Sequence, residues 1–233
     1  IFNYLPMYGI QIAFKDFKPA KGILGSKFVG LKWFERFFSS FQFTEILSNT
    51  LLLSILLLIC SFPIPIIFAL IVNQYKDGKF RRILQTVSYA PHFISTVVMV
   101  GMVVLFLSPS SGLYGTIVRM FGGDPQNIMG DSAMFRPIYI LSDIWQHTGW
   151  DSIIYLAALS SINQDLYDAA NVDGAGRFKK MWYIEIPALK ETAIILLILR
   201  LGNIMSMGFE KAYLMQNNLN LATSEIIATY VYK

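Results

Sequence analysis

Asp143, Gln146, His147, Trp150, Asp151 and Ile154 fall at i, i+3, i+4, i+7, i+8 and i+11, the spacing of one helical face. Carboxylates and an imidazole on one face can exchange protons or bind cations. Trp145 and Trp150 can stack on a sugar face, although an aromatic in an apolar span more often packs or anchors at the interface. A second stripe, Arg200, Asn203, Met207 and Glu210, follows i, i+3, i+7 and i+10. Arg200 lies about 20 Å along a helix from Pro187 at 1.5 Å per residue, and His147 lies at a similar depth from Ser161. Arg200 can therefore neutralise Asp151 or Asp143 and lock helices, the favoured role, or meet an anionic sugar group. Gln146, His147 and Asn203 suit a polar pathway and interhelical hydrogen bonding equally well. His92, after Pro91, reads as a packing histidine at a kink. The two histidines fall in different apolar segments and Cys60 is the lone cysteine, so no metal site is expected.

Such groups need elements able to carry them through an apolar solvent. Of the 233 residues, 55% are hydrophobic and 15% charged, against roughly 25% charged in soluble domains. The pattern predicts an all-α, polytopic membrane protein with spans at about 46–72, 83–107, 137–161 and 187–207. Pro63 and Pro65 should kink the first span, and Pro187 should open the fourth, where its missing N–H costs little. Residues 1–14 read as the tail of an earlier span, and a final span is expected beyond residue 233. The net charge of +4 is spread over loops, with no basic stripe for nucleic acid. "NQYKDGKFRR", with Lys76, Lys79, Arg81 and Arg82, and the segment carrying Arg177, Lys179, Lys180 and Lys190 are separated by two spans. Both should lie on one side, the cytoplasm. The longer lysine-bearing loop from Lys15 to Arg36 then falls outside, against that rule.

Between the third and fourth spans lies "LYDAANVDGAGRFKKMWYIEIPAL", Leu166 to Leu189. Asn163 or Asp165 can cap a helix running to about Val172, with Asp168 three residues after Asp165. Gly174 and Gly176 supply a sharp bend. A second short helix, about Arg177 to Ile184, brings Phe178, Met181 and Trp182 together opposite Lys179 and Lys180. The product is a helix-turn-helix over residues 163–186, lying on the cytoplasmic face. An interfacial linker touching lipid headgroups has the same pattern.

"DAANVDGAGRFKKMWYIEIP" resembles the EAA loop of permease subunits of type I ABC importers, through Asp168, Ala169, Ala170, Asp173, Gly174, Ala175, Ile184 and Pro187. Asp168 stands where the family usually has glutamate, which keeps the charge and shortens the reach. "YLPMYGIQIAFKDF", "SNTLLLS", "YAPHFIS", "DIWQHTGWDSIIYLAAL" and "GNIMSMGFEKAYLM" are similar to the LplB-like polysaccharide-permease branch, near the maltose-type sugar importers. The resemblance implies the MetI-like permease fold in the bacterial cytoplasmic membrane, with Asp168 to Gly176 and Pro187 in the coupling region. It also implies an oligosaccharide cargo, a second homologous permease, two cytoplasmic ATPase subunits and an extracellular solute-binding protein. The loop "GGDPQNIMGDSAMF" could contact that binding protein or merely connect spans.

The chain has no G-x-x-x-x-G-K-[ST] loop to cradle nucleotide phosphates. ATP-Mg is accordingly expected on the partner ATPases, and this chain should be a transport subunit without an enzymatic activity or a cofactor of its own. Two rivals remain at this level: an ion-coupled secondary carrier using the intramembrane acids, and a membrane enzyme using Asp143, His147 and Asp151 as acid and base.

Overall fold

The computed structural model describes residue 4 and residues 6–75, 78–204 and 208–233. The chain forms two compact units, Ile1–Ser48 and Asn49–Lys233, where the sequence suggests one continuous domain.

In the first unit, Pro6–Phe14 winds as a 3-10 helix and leads into β1 (Lys15–Asp16). β1 pairs antiparallel with β2 (Lys27–Phe28), and the short α1 (Gly22–Gly25) lies between them. The expected tail of an earlier span at 1–14 is, over its described part, this tighter helix ending in a hairpin. α2 (Lys32–Phe38) contributes Phe34, whose ring centroid is 5.4 Å from that of Phe14. Trp33 Nε1 donates to the Lys15 carbonyl at 3.1 Å. Aromatic ring contacts and a few side-chain bonds thus hold this segment together without a buried apolar core among these elements.

α3 (Phe41–Ser61) and α4 (Pro63–Asn73) form the one helix among the described residues long and apolar enough to cross a bilayer unaided. The helical ladder is interrupted at Phe62, which keeps helical φ and ψ, and Pro63 opens α4 where its missing N–H is tolerated.

The span expected at 83–107, with its kink at Pro91, is broken more sharply than a kink. α5 (Lys79–Tyr89), a 3-10 turn (Ala90–Phe93) and α6 (Thr96–Phe106) make a pair bent by 101°. Pro91 removes a helical donor, Ile94 is extended, and Ser95 caps α6 by accepting from the Val98 N–H.

α7 (Leu113–Met120) precedes the long α8 (Ser132–Ser160). α8 begins five residues before the expected start at Pro137, because Asp131 caps it by accepting from the Ala133 N–H at 2.9 Å, and Pro137 lies within it. The loop before α8 is stitched to the end of the chain: Asn217 Nδ2 and Asn220 Nδ2 both donate to the Met129 carbonyl. α9 (Gln164–Val172), α10 (Arg177–Lys180), a π-helical turn (Met181–Glu185) and α11 (Ile186–Gly202) follow. The last helices are α12 (Phe209–Met215), α13 (Leu221–Ser224) and α14 (Ile227–Tyr232).

Two apolar clusters occupy opposite ends of α8. Near its start Phe135 and Tyr139 pack with Leu53, Met99, Ala212 and Met215. Near its end Tyr155, Leu156 and Leu159 pack with Ala69, Leu70, Val72 and Leu189. Between the clusters α8 meets α5 very closely, for a methyl placed on Gly149 would lie 2.0 Å from the Ser88 carbonyl oxygen. The middle of α8, where the polar stripe sits, is therefore fixed from both ends and from behind.

α11 ends at Gly202, short of the expected 207. It also continues from α10 through the π turn, so the second module helix does not stop at Ile184. Pro187 cannot donate to the Tyr183 carbonyl, and a wider turn upstream is one way a helix accommodates such a ring.

Candidate functional site: a charged cavity and an exposed coupling helix

A cavity of about 600 Å³ opens against the middle of α8, lined by Asp143, Gln146, His147 and Asp151 together with Arg200, Asn203 and Glu210. The two polar stripes thus meet in one place. Met207 lies outside the described residues. Trp150 does not line the cavity: its ring stacks on His92 with centroids 4.4 Å apart, and Phe93 packs edge-on at 5.5 Å. His92 is accordingly a packing group at the Pro91 bend, and Trp150 belongs with it.

The charges are paired across helices. Arg200 on α11 donates to the Asp151 carboxylate on α8 through Nη2 and to Ser61 Oγ through Nη1 at 3.3 Å. Asp143 is held by a residue that periodicity did not bring forward. Lys211 Nζ, on the buried side of α12, lies 3.2 Å from Asp143 Oδ1, donates to the Tyr139 carbonyl at 3.0 Å and sits 4.4 Å from the centroid of the Tyr139 ring. His147 Nδ1 lies 3.5 Å from the same carboxylate oxygen. Gln146 is 5% exposed and donates to the Ile94 carbonyl at 2.9 Å, an acceptor left by the Pro91 break. Asn203 bonds the Leu199 carbonyl of its own helix. Arg200, Asp143, Asp151 and Gln146 are thus structural fasteners that also face the cavity, while Asn203 and Glu210 are exposed on its rim.

The module between α8 and α11 is built by local rules. Asn163 Oδ1 accepts from the Asp165 N–H at 3.0 Å, so Asn163 is the cap. At the other end the Gly174 N–H bonds the Asn171 carbonyl and the Ala175 N–H bonds the Ala170 carbonyl at 2.8 Å, a Schellman motif. Gly174 has φ +69°, where a side chain is strained, and it is the bend the sequence suggested. Ala170 and Ala175 are half-buried members of this cap, and Asp173 is its exposed C-cap residue. Gly176 is extended, φ −68° and ψ 169°, and starts α10. Asp168 and Ala169 are exposed on α9, Val172 is 88% exposed, and Phe178 and Trp182 are exposed beyond the turn. Met181 instead packs into the apolar cluster at the end of α8. Pro187 is exposed at the start of α11.

One group was missed altogether. Glu185 is 2% exposed and accepts from Asn73 Nδ2 at 3.0 Å, from Gln74 Nε2 at 2.9 and 3.1 Å, and from the Tyr167 hydroxyl at 3.4 Å. Burial, and then the Glu185 charge, push the Tyr167 hydroxyl above its ordinary range, so it remains a donor. Its signal in the sequence was a single acid between Ile184 and Ile186, just before Pro187. These bonds also bring the end of α4 against the module.

Residues 61–233 match the family described as binding-protein-dependent transport system inner membrane component. The chain belongs to that family. This permease is 42% identical over 232 residues to Protein LplB of Bacillus subtilis, which covers all of this chain and 73% of that relative. It is 45% identical, with 100% and 72% covered, to the polygalacturonan/rhamnogalacturonan transport system permease protein YteP of the same organism. A solved bacterial alginate ABC transporter, in complex with alginate pentasaccharide-bound periplasmic protein, contains a chain that superposes with a TM-score of 0.90 at 42% identity. That match covers all of this permease and 77% of that chain. The permease is thus the inner-membrane subunit of an ABC importer with the MetI-like helical fold, and neither the secondary carrier nor the membrane enzyme is retained.

Proposed function

We propose that this permease is one membrane-spanning half of an importer for an oligosaccharide, which passes by alternating access along the cavity beside α8. A second homologous permease completes the pathway, and a solute-binding protein delivers the sugar from outside. Two ATPase subunits carrying ATP-Mg receive α9 on the cytoplasmic side, and the chain crosses the bacterial membrane several times. The observation that carries this reading is α9: a capped helix with no fully buried residue, projecting Asp168 and Val172 and closed by the Gly174 turn. A helix so placed presents itself for gripping by a partner. An oligosaccharide suits the cavity because its walls offer hydrogen-bonding groups while both cations are already paired. The polysaccharide cargoes named for YteP and the alginate transporter support the same class.

Asp168→Lys tests the coupling. ATP-driven uptake of a labelled oligogalacturonide or alginate oligosaccharide by the reconstituted complex should fall to background, while the subunits still copurify. Uptake at the wild-type rate would remove α9 from the mechanism.

A further inference from the structure

Glu185 has no part in the cavity and is too buried to meet a partner, yet it joins three elements. Asn73 is the last residue of α4 and Gln74 its C-cap. Tyr167 lies on α9 immediately before Asp168. Glu185 itself closes the π turn that opens α11, where the Ile186 N–H reaches back five residues to the Met181 carbonyl. Four hydrogen bonds come close to the acceptor capacity of one carboxylate, and every donor is a neutral amide or phenol. A buried carboxylate satisfied in this way is specific in geometry, since losing any donor leaves an acceptor short.

The rest of α9 is poorly attached. It has no fully buried residue, and its side-chain bonds to other elements are that of Tyr167 to Glu185 and that of Asn171 Oδ1, which accepts from Lys180 Nζ on the exposed α10. π turns are energetically marginal insertions and occur often at functional sites. We propose that Glu185 is a positioning residue, a clasp through which displacement of α9 is carried to α4 and α11 together.

The proposal rests on the reading of α9 as the ATPase contact, and two separate measurements keep them apart. Hydrogen exchange of α9 amides in the membrane-embedded permease pair should slow when the ATPase subunits are added to complete the complex. No slowing would sink the α9 reading itself, and with it the proposal. The clasp is then tested with spin labels at Gln164→Cys on α9 and Ile71→Cys on α4, in a Cys60→Ser background because Cys60 is exposed.

In the parent protein the label-to-label distance should stay constant between the nucleotide-free complex and the complex trapped with ATP and vanadate. In Glu185→Gln, which replaces an acceptor by a competing donor, the ATPases should trap as much nucleotide but the distance should shift or broaden on trapping. Adding Gln74→Glu should restore the constant distance, which a merely structural defect would not allow. A distance that changes in the parent, or that stays constant in Glu185→Gln, overturns the proposal. If Glu185→Gln does not assemble, Tyr167→Phe decides, because it deletes only the hydroxyl that ties α9 to the clasp. An unchanged distance there overturns the proposal, and a shift supports it.

Discussion

The two ion pairs of the cavity differ in burial, and that difference predicts unequal costs. Lys211 is 5% exposed, whereas the Arg200 and Asp151 side chains are each about a third open to the cavity. Removing one member of a buried pair costs about 3–5 kcal/mol, and a solvated pair is worth roughly 1 kcal/mol or less. Asp143→Asn should therefore lower the melting temperature of the purified permease clearly more than Asp151→Asn, read by thermal unfolding in one detergent. Equal shifts would mean that solvent screens both pairs alike. Periodicity gave Arg200, Asp151 and Asp143 but left Asp151 and Asp143 open as partners of Arg200, because Lys211, which takes Asp143, follows a break in the helix after Gly202. A 3.6-residue count does not carry across a break. Glu185 was illegible for a related reason: burial of a single acid depends on donors from Asn73 and Gln74, over a hundred residues away.

At the scale of elements, the glycine punctuation was read correctly where it acts within a few residues, for Gly174 turns the chain at positive φ. Pro63 and Pro65, expected to kink the first span, instead stand in the first turn of α4, within a helix that runs from Phe41 to Asn73. Misreading came where tertiary partners decide: the kink expected at Pro91 is a break that ends α5, and beyond it Gln146 on another helix donates to the Ile94 carbonyl. Pro187 stands in the first turn of α11, as expected, but α11 runs on from α10 through a π turn rather than from a free end. The contact between α5 and α8 depends on the absence of a side chain at Gly149. Gly149→Ala would force the two helices apart, at roughly 1–3 kcal/mol for overpacking. Thermal unfolding should show a loss of several degrees at about 2–4 °C per kcal/mol in a chain of this size. Gly101→Ala, where an added methyl meets nothing within 4 Å, is the control and should leave the transition close to that of the parent.

For the whole molecule, the sequence announced its helical class and its coupling segment through composition and a contiguous motif. It offered the two polar stripes but not the space between them, which exists because α8 is anchored by separate apolar clusters at its two ends and leaves its polar middle unfilled. On the proposed reading Asn163–Gly176 meets other subunits and the α8 to α12 cavity meets cargo, and that division has a practical consequence. Of the groups facing that cavity, Asp143, Gln146, Asp151 and Arg200 are committed to holding helices together, whereas the exposed Asn203 and Glu210 owe the scaffold little. Efforts to retarget such an importer to a different glycan have their tolerant positions there, on the lip after α11, and the charged interior is better left as inherited.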